Sequence, residues 1–116
     1  MGDVSDNFSR SEFACKCGCG FNSVDVALLD ALEQVREKFG PVSITSGNRC
    51  PKHNAGVGGA AHSYHTKGLA ADFKVGASPT VVQDWLCKTW PNKYGKGRYP
   101  SWNHLDVRDD DTRWSS

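Results

Sequence analysis

One short stretch of the chain holds several side chains that can bind a metal. The sequence HSYHTKGLAADF runs from His62 to Phe73, and Asp72 follows His65 by seven residues. This separation is too long for one turn of a helix, so the chain must bend between the two residues. Gly68 lies between them and tolerates the backbone angles of a bend. The stretch reads neither as a helix face nor as a simple alternating strand, and a metal site is one possible reason.

A second group of candidate ligands lies near the C-terminus, in the sequence WNHLDVR. This run reads as a strand, so His104 and Asp106 are predicted to lie on the same face of it. Two histidines and one carboxylate, His65, Asp72 and His104, leave a fourth position open, as catalytic zinc sites do. On composition alone these histidines could equally be ordinary surface residues, because four histidines in 116 residues are not unusual.

Two helices are predicted to flank the strands. The clearer one is NSVDVALLDALEQVREKFG, with Ser23 as its N-cap, apolar residues at helical spacing and an end at Gly40. The second is SPTVVQDWLCKTW, with Ser78 as N-cap and Pro79 in the first helical position.

The remaining segments divide into strands and loops. PVSITSG, GLAADFKV and WNHLDVR are predicted strands, whereas NRCPKHNAGVGGAAHS and NKYGKGRYPS are predicted loops and DDDTRWSS a polar tail. Trp85, Tyr99 and Trp102 are predicted to belong to the core rather than to a substrate platform. The order of elements predicts one small α+β domain over residues 1–116, with an antiparallel sheet and flanking helices.

Composition excludes several classes of partner. The net charge is +1, so no bulk electrostatic attraction to nucleic acid is expected. No apolar run approaches the ~20 residues that a membrane span requires, so membrane insertion is not expected. The N-terminal sequence MGDVSDNFSR lacks the apolar run of a signal peptide, which predicts synthesis in the cytoplasm. We expect a monomer.

The chain has five cysteines, an odd number, so at least one is unpaired within the chain. Cys15, Cys17 and Cys19 form the cluster CKCGCG, and Cys50 and Cys87 stand alone. Three states are open for the cluster: a structural zinc site, a disulfide to a residue such as Cys50, or buried thiols.

The sequence resembles a known peptidase family in three blocks. SYHTKGLAAD fits the pattern S-x-H-x-x-G-x-A-x-D of the zinc D-alanyl-D-alanine carboxypeptidases and L-alanyl-D-glutamate endopeptidases. That group includes many phage endolysins and shares its fold with the signalling domain of hedgehog proteins. SGNRCPKHNAGVGGAAHS and RYPSWNHLDVR resemble two further blocks of the family in the same order, so the resemblance covers residues 8–114.

The resemblance implies roles for individual residues. It assigns one zinc ion per chain to His65, Asp72 and His104. It implies that Arg49 holds a carboxylate or carbonyl of the substrate, for which a rigid guanidinium fork is suited. Ser63 is implied to contact the substrate. The alternatives are a structural salt bridge for Arg49 and a loop cap for Ser63.

The general base is not specified by the resemblance. Several relatives have Glu or Asp three residues before the last histidine ligand, where this chain has Ser101. Asp106 is then the nearest carboxylate that could accept the proton, and the alternative is that it orients His104 or Arg49.

The resulting expectation is a zinc-dependent peptidase that cleaves the stem peptides of peptidoglycan. The cleaved bond would be either D-Ala-D-Ala or L-Ala-D-Glu, and the setting would be a phage endolysin acting on the cell wall. The alternative is a non-catalytic zinc module of the same fold that binds cell wall or serves as a structural part of a virion.

Overall fold

The computed structural model describes residues 8, 10–13, 25–47 and 69–115. Within these ranges the chain forms a short 3-10 helix, two α-helices and five strands. Their bounds are Arg10–Phe13 for the 3-10 helix, Val26–Phe39 for α1, Ser43–Ser46 for β1, Ala70–Lys74 for β2, Pro79–Thr89 for α2, Gly95–Arg98 for β3, Asn103–Asp106 for β4 and Thr112–Ser115 for β5.

Helix α1 begins later than the sequence pattern predicted. Its N-cap is Asp25, whose carboxylate accepts a hydrogen bond from the backbone N–H of Ala27 at 2.8 Å. The prediction of Ser23 as N-cap is therefore wrong, because an aspartate nearer the apolar run satisfies the first backbone donors. The buried face of the helix carries Leu28, Leu32 and Val35.

Helix α2 begins as predicted. Ser78 is its N-cap and accepts from the backbone N–H of Val81 at 3.4 Å, and Pro79 occupies the first helical position. Val82 and Leu86 are fully buried and attach this helix to the core. Among the helices of the described ranges, none is long and apolar enough to cross a membrane.

The five strands form one sheet in the order β1-β2-β4-β3-β5. Three neighbouring pairs are antiparallel, and β3 and β5 are parallel, so the sheet is mixed. The α+β class and the three predicted strands are confirmed.

Two segments that were predicted as loop and tail are strands instead. NKYGKGRYPS contains β3 and DDDTRWSS contains β5. Neither has the β-branched and aromatic density that identifies a strand in sequence. β3 is set by pairing with β4 on one side and with β5 on the other, an effect of tertiary context.

The two faces of the sheet differ in what they contact. Ala71, Phe73 and Leu105 are fully buried and belong to the same core cluster as the apolar residues of α1 and α2. Side chains alternate between faces along a strand, so Asp72 and His104 lie on the face turned away from that core. The candidate ligands are thus carried by the part of the sheet that the helices leave uncovered.

Candidate functional site

One row of residues crosses the sheet and brings the candidate ligands together. Asp72 on β2 pairs directly with His104 on β4. His104 pairs in turn with Gly97 on β3, and Gly97 pairs with Trp114 on β5. Directly paired residues point to the same face, so the side chains of this row are neighbours.

The side chains of Asp72 and His104 are in contact. Oδ1 of Asp72 lies 2.8 Å from Nδ1 of His104. The Asp72 side chain is 18% exposed and that of His104 is 9% exposed. Asp72 is thus the more exposed of the two side chains.

The other nitrogen of His104 faces a buried carboxylate. Nε2 lies 2.7 Å from Oδ2 of Asp106, whose side chain is 0% exposed. Arg108 donates to both oxygens of that carboxylate, from Nε to Oδ1 and from Nη2 to Oδ2, each at 2.7 Å. The backbone N–H of Gly95 donates to Oδ1 at 3.0 Å. Both carboxylate oxygens are thus engaged inside the protein.

The protonation of this pair follows from its surroundings. Burial alone would raise the pKa of Asp106, but hydrogen bonds from His104 and Arg108 outweigh it and hold that pKa well below its usual range. Burial would likewise lower the pKa of His104, yet the hydrogen bonds with Asp106 and Asp72 raise it above 6.5. Asp106 is therefore charged at neutral pH and accepts from Nε2–H, and Nδ1 is the nitrogen directed at Asp72.

Two glycines of β3 make room for the residues that surround His104. A Cβ at Gly95 would overlap the carboxylate of Asp106. A Cβ at Gly97 would lie 2.6 Å from Cε2 of the Trp114 indole, closer than real side-chain contacts allow. Gly95 and Gly97 lie on the same face of β3, and the side chains of Asp106 and Trp114 occupy the space that these glycines leave.

Aromatic rings lie beside the imidazole. The centroid of the Trp114 ring lies 5.0 Å from that of the His104 ring, and the two ring planes are at 47°. Nε1 of Trp114 donates to Oη of Tyr99 at 2.9 Å, and Tyr99 stacks on Trp102 at 4.7 Å. Tyr99 and Trp102 are half-buried and lie outside the core cluster, so the prediction that they belong to the core is wrong, whereas Trp85 packs against that cluster as predicted.

Sequence reasoning missed four residues that support His104: Gly95, Gly97, Arg108 and Trp114. A signal for Arg108 was present, since H-x-D-x-R places three charged or polar side chains on one face of an extended chain. A signal for the glycines was present in G-x-G opposite that strand. Neither signal could be interpreted without the knowledge that β3 pairs with β4.

Several predicted site residues lie outside the described ranges. These are Arg49, Ser63, His65 and the four cysteines Cys15, Cys17, Cys19 and Cys50. Ser101 is described and exposed, in the turn between β3 and β4, and Cys87 is a half-buried free thiol. Among the residues that the structure describes, no three side chains of His, Cys, Asp or Glu form a group that could hold a metal ion. A site built on Asp72 and His104 needs its third ligand from elsewhere in the chain.

The comparisons with known proteins identify the family. The search of curated proteins gives no match. The family described as Peptidase M15 matches residues 6–106, which include all three predicted metal ligands, Arg49, Ser63 and Asp106. This match covers most of the chain. The chain belongs to the Peptidase M15 family.

Proposed function

We propose that this protein is a zinc-dependent peptidase that cleaves the stem peptides of peptidoglycan, either as a D-Ala-D-Ala carboxypeptidase or as an L-Ala-D-Glu endopeptidase. Membership of a peptidase family supports a peptide substrate. The observation that carries the proposal is the contact between Asp72 and His104, backed by Asp106, on the sheet face that the helices leave uncovered.

The donor set of this contact fits zinc. Imidazole nitrogen and carboxylate oxygen are both common zinc ligands, and Nδ1 of His104 and Oδ1 of Asp72 already converge. A ligating histidine usually donates its other ring N–H to a carboxylate, which is the arrangement between Nε2 and Asp106. His65 is the third ligand in this proposal. When bound, zinc polarises a carbonyl group and makes water a stronger nucleophile at neutral pH.

Asp106 orients His104 in this proposal and is not the general base. A base must reach the proton that it accepts, directly or through one water. The Asp106 side chain is fully buried, and its oxygens accept from His104, Arg108 and Gly95. It lies on the Nε2 side of the imidazole, whereas Asp72 lies on the Nδ1 side. Its effect on the reaction is therefore exerted through the orientation of His104.

Substrate binding is assigned from the family resemblance. Arg49 anchors a carboxylate or carbonyl of the stem peptide through its guanidinium fork, and Ser63 supplies a hydroxyl. The setting that we propose is a phage endolysin that works as a monomer on the cell wall.

A second candidate function is a zinc-containing module of the same fold that binds cell wall without cleaving it. Two observations favour it: Ser101 stands where several relatives have a carboxylate, and Asp106 is closed off from solvent. Both candidates require zinc at the same ligands, so metal content cannot separate them.

Digestion of purified peptidoglycan separates the two. The zinc-loaded protein is incubated with cell walls, and the soluble fragments are identified by mass spectrometry. Loss of a terminal D-Ala indicates the carboxypeptidase, and release of stem peptides that begin with D-Glu indicates the endopeptidase. Asp72→Ala serves as the inactive control. Cell-wall binding without new fragments, at full zinc loading, would establish the non-catalytic module.

A further inference from the structure

We infer that Trp114 is a positioning residue for His104, and that residues 107–115, which follow the family match, complete the site. The inference rests on the proposed function in that His104 is taken as a zinc ligand. It concerns a part of the chain to which the family match, residues 6–106, assigns nothing.

Residues 107–115 are joined to the sheet by backbone and side-chain bonds. β5 runs parallel to β3, with Gly97 opposite Trp114. The backbone of Tyr94 bonds to this segment twice, accepting from Thr112 N–H and donating to Arg108 C=O, each at 3.1 Å. Nζ of the fully buried Lys96 lies 2.8 Å from Oδ1 of Asp111. The position of Trp114 is therefore fixed by several independent contacts rather than by its own ring alone.

The indole of Trp114 is itself held in one orientation. Its Nε1–H donates to Oη of Tyr99, and the Arg108 guanidinium lies 5.5 Å from the ring, within cation–π range. Gly97 leaves the space that the indole occupies. The indole is thus fixed by a hydrogen bond on one side and lies beside the imidazole of His104, so it can limit the motion of that ring.

The combination of contacts restricts the imidazole of His104 in two ways. The hydrogen bond from Nε2 to Asp106 determines which nitrogen points inward. The indole, whose centroid lies 5.0 Å from that of the imidazole, limits rotation of the His104 ring about its bond to Cβ. Arg108 links the two supports, because it binds Asp106 and lies over Trp114. A ligand held in this way loses little freedom when it binds a metal, which strengthens binding.

The test compares two variants that keep most of the volume of the side chain. Trp114→Phe retains an aromatic face toward His104, and Trp114→Leu does not. We expect the zinc affinity, measured by competition with a chelator, to fall about 10-fold or more in Trp114→Leu and by about 3-fold or less in Trp114→Phe. Gly97→Ala should weaken zinc as Trp114→Leu does, because the added methyl displaces the indole. Val81→Ala, at an exposed position of helix α2, should keep the wild-type zinc affinity.

A second measurement does not depend on zinc or on activity. In the metal-free protein, the ring N–H signal of His104 in a histidine-labelled NMR spectrum should persist in wild type and in Trp114→Phe. It should broaden or vanish in Trp114→Leu, because the ring then moves and exchanges its proton with water.

Each other outcome counts against the inference or against the proposed function, and the two are distinguishable. If Trp114→Leu and Trp114→Phe have the same zinc affinity and the same His104 signal as each other, the role of Trp114 is overturned. A raised KM with unchanged zinc affinity and unchanged signals would instead make Trp114 a substrate contact. If wild type binds no zinc, the proposed function fails, while the NMR comparison still decides whether Trp114 holds the ring.

Discussion

The carboxylate of Asp106 lies 2.7 Å from Nε2 of His104 and is fully enclosed by protein. It also accepts from the guanidinium of Arg108 and from the backbone N–H groups of Gly95 and Arg108. This arrangement separates two roles that the sequence left open, a base that meets the substrate and a carboxylate that acts on a metal ligand. The geometry favours the second role, and the two roles predict different phenotypes.

Asp106→Asn is expected to weaken zinc binding about 10- to 100-fold, as the loss of partners to ligating histidines commonly does. The amide keeps the shape of the side chain but replaces the charged carboxylate, which accepts hydrogen bonds from His104 and Arg108. At saturating zinc the rate of peptide cleavage should fall much less. Zinc affinity is measured by chelator competition and the rate at several zinc concentrations. Asp109→Asn, an exposed carboxylate nearby, is the control.

The opposite result would contradict the positioning role. A rate loss of about 100-fold in Asp106→Asn, with zinc affinity unchanged, is what the removal of a general base produces.

Zinc content is the direct test of the ligand set. We expect about one tightly bound zinc per chain, and loss of that zinc in His65→Ala, Asp72→Ala and His104→Ala. His62→Ala, three residues from His65, should retain the metal. Elemental analysis after dialysis against a weak chelator measures the content. Full zinc retention in any of the first three variants would remove that residue from the site.

Arg49→Lys tests the substrate anchor. Lysine preserves the charge but loses the planar fork that binds a carboxylate in two places. Peptide cleavage should fall about 10-fold or more while zinc content stays the same. Wild-type cleavage in this variant would indicate that Arg49 has a structural role.

The pH dependence of stability should reveal the ion pair that holds the last strand. Hydrogen bonds with Lys96 and Arg113 lower the pKa of Asp111 below its ordinary value of 3.8. A depressed pKa in the folded state means that the charged form stabilises the fold above that ordinary value, and that this contribution is lost as the pH falls through the folded-state pKa. Asp111→Asn should therefore lower the thermal midpoint at neutral pH.

The difference between Asp111→Asn and wild type should shrink as the pH is lowered through and below 3.8. Thermal melts of the metal-free proteins between neutral and strongly acidic pH measure it. A difference that stays constant over this range would show that the charge of Asp111 does not act on stability.

The elements that sequence predicted well are those whose signals are local. Helix α2 has a serine cap followed by proline, β2 has Ala71 and Phe73 on the core face, and β4 has Leu105 there, so each could be predicted from its own residues. The proximity of Asp72 and His104 followed from the resemblance to a known family, which assigns both residues to one metal ion. β3 could not be predicted, because it consists of glycines and charged residues, and β5 could not, because it has only four residues and follows a run of aspartates. The strand conformation of both depends on partners distant in sequence. The same dependence hid Arg108 and Trp114 as parts of the site.

The two glycines of β3 also place a constraint on how this sequence can evolve. The space above Gly97 is filled by Trp114, and the space above Gly95 by Asp106, so each glycine and its occupant share one volume. A side chain acquired at position 97 can be tolerated only where position 114 carries a smaller residue. We therefore expect positions 97 and 114 to covary among homologous chains, and Gly95 to persist wherever Asp106 does.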